Sequence, residues 1–110
     1  MSLSSFIINT LKPIGVPVRF QTLLESDGNP PTYIKFFEYH QSGALHGDDK
    51  ELNSSHSIQV DIFSIGNYSS LVKQVKELLT GIGFTRTFET ELYETDTKLY
   101  HKVLRFHFVQ

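Results

Sequence analysis

Apolar and polar positions recur along this chain at two different periods, and the changes of period divide it into elements. Leu3, Phe6, Ile7 and Leu11 form a helical stripe, with Ser2 or Ser4 placed as N-cap and Pro13 and Gly15 as the stop. Val16, Val18 and Phe20 then alternate with polar residues, which predicts a first strand whose pattern decays by Leu23 and Leu24. Ser26-Asp27-Gly28-Asn29-Pro30-Pro31 collects turn-forming residues and predicts a loop. From Tyr33 to His40 both sides of an extended chain are apolar or aromatic: Ile34 and Phe36 on one, Tyr33, Phe37 and Tyr39 on the other. That pattern predicts a central strand covered on both faces.

Residues 42–55 are rich in Gly, Asp, Asn and Ser, and predict a long polar, mobile loop. Ile58, Val60 and Ile62 alternate with Ser57, Gln59 and Asp61, the cleanest strand pattern in the chain. Gly66 and Asn67 break that strand. A helix follows, with Asn67 or Ser69 as cap, Leu71, Val72, Val75, Leu78, Leu79 and Ile82 on one face, and Gly81 and Gly83 at its stop. Phe84 to Tyr93 reads as an edge strand whose apolar row is Phe84, Phe88 and Leu92. After a polar turn at Glu94 to Thr97, Leu99 to Val109 returns as its hairpin partner. It carries Tyr100, Leu104, Phe106 and Phe108 on one face and His101, Arg105 and His107 on the other.

This order predicts an α+β fold: an antiparallel or mixed β-sheet of about four to five strands, with the N-terminal helix and the longer amphipathic helix packed on one face. At 110 residues the chain is expected to be a single domain over 1–110. A hydrophobic fraction of 39% suffices for one core. The formal net charge of −2 supplies no general attraction to phosphate backbones, so no direct nucleic-acid recognition is expected. No apolar run approaches the roughly 18 residues of a membrane span, and the first residues lack a basic leader pattern, so no membrane contact is expected. The absence of cysteine excludes disulfides, thiolate metal sites and a cysteine nucleophile.

Candidate chemistry is sparse. His40, His46, Asp48, Asp49 and His56 bracket the long loop and are ligand types for a transition metal, but their spacing fits no metal template and a solvated loop accounts for the same letters. Asp61, Glu89, Glu91 and Glu94 could supply an acid and base pair only if desolvated, and their places on polar faces predict ordinary solvation. Ser64 lacks the glycine spacing of a nucleophile elbow, and Gly81-Ile82-Gly83 closes a helix where a phosphate loop would open one. The expectation is no enzyme, no cofactor and no bound metal. His101, Arg105 and His107, with Lys98 and Lys102 nearby, make a modest basic strip suited to an acidic partner surface.

The strand Ser57 to Ser64, the break at Gly66-Asn67, the helix Leu71 to Leu79 and the exit Gly81-Ile82-Gly83-Phe84 together resemble the tail terminator or tail completion (head-tail joining) proteins of long-tailed bacteriophages and prophages. In that family a short helix, an aromatic strand, a polar hairpin loop, a Val-Asp strand, an amphipathic helix and a closing hairpin follow in this order, which covers nearly the whole chain. The resemblance implies a structural virion protein, made in the host cytoplasm, that caps the tail tube and joins it to the head connector. Its implied partners are the major tail tube protein, the head connector protein and further copies of itself in a hexameric ring. A head-completion or connector role in the same assembly set is the alternative, and a small ligand-binding α+β domain is a more distant one. On this reading the assembly-interface candidates are His46, Asp48, Asp49, Lys50 and Glu51 on the loop, Arg86, Glu89 and Glu91 on the edge strand, and His101, Arg105 and His107 on the basic strip.

Overall fold

The computed structural model describes residues 2–43, 46–47, 50–51 and 54–109, with side chains described outside residues 40–54. Helix α1 spans Leu3–Leu11. The Ser2 hydroxyl accepts the Ser5 N–H at 3.2 Å, and Ile7 and Leu11 are buried. Among the described residues, no helix is long and apolar enough to cross a membrane. Strand β1 is short, Val18–Phe20, and ends where Gln21 turns to a positive φ of 68°. A loop containing a single 3-10 turn at Glu25–Asp27 leads to β2, Thr32–Gly43. Arg19 clamps that loop, donating from Nε and Nη2 to the two Asp27 carboxylate oxygens at 3.0 and 2.7 Å, while Asp27 Oδ2 also accepts the Leu24 N–H. The guanidinium hydrogen bonds, helped by the Leu24 amide, hold the Asp27 carboxyl below the usual carboxylate range.

Two short strands, β3 (His46–Gly47) and β4 (Lys50–Glu51), pair with each other, and β5 runs Ser54–Ser64. Helix α2 spans Ser69–Gly81, its first amide held by Asn67 Oδ1 at 2.9 Å. It stops where Gly83 takes a φ of 105° and the Phe84 N–H closes back on the Leu79 carbonyl. A Cβ at position 83 would also sit 3.4 Å from the Phe108 ring, so glycine meets both a backbone and a packing demand. The hairpin β6 (Thr85–Glu94) and β7 (Leu99–Val109) completes the chain, its turn closed by Lys98 at a φ of 59°.

The five main strands form one mixed sheet in the order β1-β2-β5-β7-β6, with β1 parallel to β2 and the other neighbours antiparallel. Both helices lie on one face. Ile7 and Leu11 of α1 and Val72, Val75 and Leu79 of α2 join Ile34, Phe36, Ile58, Val60, Ile62, Leu104 and Phe106 of the sheet in a single core. Each such aliphatic or aromatic side chain, fully buried, contributes about 1.5–3 kcal/mol by removing apolar surface from water. The expected α+β class, with both helices on one face, is the observed one.

Three expectations change. Residues 42–55 are not one uninterrupted loop: β2 continues to Gly43, β5 begins at Ser54, and Ser42 pairs with Ser55 in the same ladder. Hydrogen-bonded extension of a hairpin requires no apolar side chain, so the polar letters disguised it. β2 is not covered on both faces by other layers, since its Tyr33, Phe37 and Tyr39 side lies opposite the helices; the middle strand is β5. Phe84, Phe88 and Leu92 do not form one row. Phe84 packs in the helix-side core before β6 begins, whereas a register shift between Arg86 and Phe88 turns Phe88 and Leu92 to the other face.

Candidate assembly surface

The helix-free face is built from the residues that alternate with the core positions. Phe63, Leu99 and Val103 are buried there although they lie outside the helix-side core, because neighbouring side chains of the same sheet cover them. Tyr33 stacks on Phe63 with centroids 4.7 Å apart, Phe63 stacks on His101 at 4.1 Å, and the Lys35 ammonium lies 5.1 Å from the Phe63 ring. Further along the face, the Arg105 guanidinium lies 5.1 Å from the Tyr39 ring and 5.2 Å from the Phe88 ring, bridging three strands.

Polar groups tie these stacks together. Arg105 Nε donates to Gln59 Oε1 at 3.1 Å, Gln59 Nε2 donates to Asp61 Oδ1 at 2.9 Å, and His101 Nε2 donates to the same oxygen at 2.8 Å. The chain of donors fixes the orientation of the Gln59 amide. Asp61 is therefore not the solvated carboxylate its alternation predicts: it is only 6% exposed and is held by two donors. The other ring nitrogen of His101 lies 3.6 Å from Glu94 Oε2, so both imidazole nitrogens face carboxylates.

The charged residues of the β6–β7 hairpin do not form one surface. Arg86, Glu89 and Glu91 lie on the helix side, while His101, Arg105 and His107 lie on the helix-free side. Glu89, expected to decorate a solvated edge, is instead gripped by Lys102 at 2.8 Å, Arg86 at 2.9 Å and Lys76 of α2 at 3.1 Å. Its hydrogen bond to Lys102, reinforced by Lys76 and opposed by partial burial, keeps its carboxyl below the usual range. Glu91 accepts the Tyr68 hydroxyl at 2.7 Å. The basic strip is likewise partly committed: His101 to Asp61, Arg105 to Gln59 and two rings, and His107 to the Ser55 hydroxyl at 3.3 Å.

The hairpin candidates are placed by backbone alone. His46 pairs with Glu51, and Lys50 lies opposite Gly47, beyond the ends of β2 and β5. Asp48 and Asp49 lie outside the described residues. Of the proposed metal-ligand types, His56 is buried and its Nδ1 is paired with Glu38, a helix-side partnership that alternation alone does not reveal. The aromatic and guanidinium stacks of the helix-free face were also missed as a site, although Tyr33, Phe37 and Tyr39 on one side of β2 carried the signal.

No protein-family model matches this sequence. No curated protein matches it either. In fold, the chain is similar to a chain of the solved virion of a native gene transfer agent (GTA) particle. The TM-score is 0.63 over 96% of this chain and 92% of that one, at 11% sequence identity. An α+β architecture is thus shared over nearly the full length of both.

Proposed function

We propose that this chain is a structural, non-enzymatic component of a phage-like virion, acting as a tail terminator that caps the tail tube and joins it to the head connector. The observation that carries the reading is the near full-length fold likeness to a component of a GTA virion. The order of the Ser57 to Ser64 strand, the amphipathic helix and the Gly81 to Phe84 exit supports it from the sequence. In this role the subunits close into a six-membered ring, each presenting one patch to a different patch on its neighbour. The β2–β5 extension and the helix-free face offer two such non-identical patches at different places on the subunit.

Deletion of residues 47–53 tests the reading, because it shortens the extension beyond β2 and β5 and leaves the core ladders intact. Circular dichroism and thermal unfolding are expected to stay near wild type while heads and tails accumulate unjoined. Normal yields of joined particles from the deletion would sink the proposal. Light scattering of the pure protein, alone and mixed with tail tubes lacking a terminator, supplies the direct readout. A ring, or a cap at tube ends in negative stain, supports it; binding to a head connector but not to tube ends would move the assignment to head completion.

A further inference from the structure

Three of the five tyrosines of the chain converge where the start of α2 meets the turn end of the β6–β7 hairpin. Tyr93 and Tyr100 lie with centroids 5.0 Å apart, and Tyr68 lies 6.2 Å from Tyr100. Tyr68 is buried and anchored by its hydroxyl on Glu91, whereas Tyr93 and Tyr100 are 52% and 41% exposed. Tyr68, Tyr100 and Glu91, with Ile65, Asn67 and Ser69, line a cleft of about 390 Å³. Glu91 is the charged side chain of this lining. Its cross-strand partner Lys102 is engaged with Glu89, as are Arg86 and Lys76, and Glu91 takes part in none of the ion pairs among the described residues.

We propose that this cleft is a binding site for a basic side chain, lysine or arginine, presented by an exposed segment of a partner protein. Ring faces carry the negative end of the aromatic quadrupole, and a carboxylate beside them adds a full charge, so the combination favours a cation over a neutral or acidic group. The start of α2 lies at the same cleft and would favour an anion. Its first amide is already occupied by Asn67 Oδ1, however, and Glu91 repels a second negative charge. Tyr68 keeps its proton, because burial and the neighbouring Glu91 carboxylate raise its ionisation well above the usual phenol range, and it therefore continues to orient Glu91. The inference stands on the cleft itself and does not require the virion reading.

The test is a backbone amide NMR titration of the full chain with the capped tripeptide acetyl-Gly-Arg-Gly-amide and, in parallel, with acetyl-Gly-Glu-Gly-amide. The basic peptide is expected to shift Tyr68, Ser69, Glu91, Tyr93 and Tyr100, with an effect that fades as salt rises. Glu91→Gln retains an acceptor for Tyr68 while removing the charge, and Tyr100→Leu retains apolar bulk while removing the ring. Each is expected to weaken binding about tenfold. No localised shift at millimolar peptide, an equal or larger response to the acidic peptide, or affinity unchanged in both variants would overturn the proposal.

Discussion

The two faces of the sheet bury side chains by different means and to different extents. On the helix-covered face, Val60, Leu104 and Phe106 are sealed by α1 and α2 in an aliphatic and aromatic core. On the helix-free face no second layer is present among the described residues, and Phe63, Val103 and Asp61 are buried by stacked rings, a guanidinium and a hydrogen-bond chain lying flat on the strands. Enclosure between layers converts apolar area directly into stability, whereas a face roofed by its own side chains stays close to solvent and remains available to a partner.

The largest effect should come from the sealed face. Phe106→Ala is expected to cost about 4 kcal/mol in urea unfolding, since the cavity left between sheet and helices cannot be filled by water at no cost. Phe63→Ala removes a side chain of the same size and similar burial, yet is expected to cost about 2 kcal/mol because the void opens towards solvent and Tyr33 and His101 can close over it. Equal losses at the two positions would mean that the faces are energetically alike.

Next in size is the Asp61–His101 pair. Asp61→Ala strands a half-buried imidazole N–H and the Gln59 amide, and is expected to cost about 1–3 kcal/mol, with a double-mutant cycle against His101→Ala recovering a positive coupling. Strict additivity would show that the two residues are neighbours without being partners.

The smallest effect contrasts carboxylates by partner type. Glu89 and Asp27 have folded-state values below their unfolded ones, so they add stability above the unfolded carboxylate value of about 4, and that stability is lost as pH falls through this value towards the depressed folded one. Thermal midpoints of wild type and Glu89→Gln should therefore differ most near pH 7 and converge below about pH 4. A gap that stays constant with pH would show that the three cations around Glu89 contribute packing alone.

Much of the frame was legible in the letters. The stripe of α1, the alternation of β5, the stop of α2 at Gly83 and the closing hairpin all depend on local period, caps and turn residues, and the structure places them as those signals imply. The candidate site was far less legible. The register shift after Arg86 adds one residue to β6 and reverses the face of everything beyond it, separating Phe84 from Phe88 and Leu92. Nothing in the composition of Thr85-Arg86-Thr87 marks that shift. The extension of β2 and β5 through polar residues was hidden for the complementary reason: backbone ladders form without a hydrophobic face to advertise them.

The sequence by itself determined the order of the two helices and the main strands, which stripe of each helix is apolar, and which chemistries the missing cysteines exclude, because these follow from local geometry and from the residue types present. Only the tertiary structure decided that Asp61 meets His101 across β5 and β7, that Glu89 gathers three cations, and that Arg105 lies between Tyr39 and Phe88. Such partnerships depend on strand order and register. With side chains alternating every residue, a shift of one position exchanges the two faces of a strand, and no local property of the chain records which exchange has occurred.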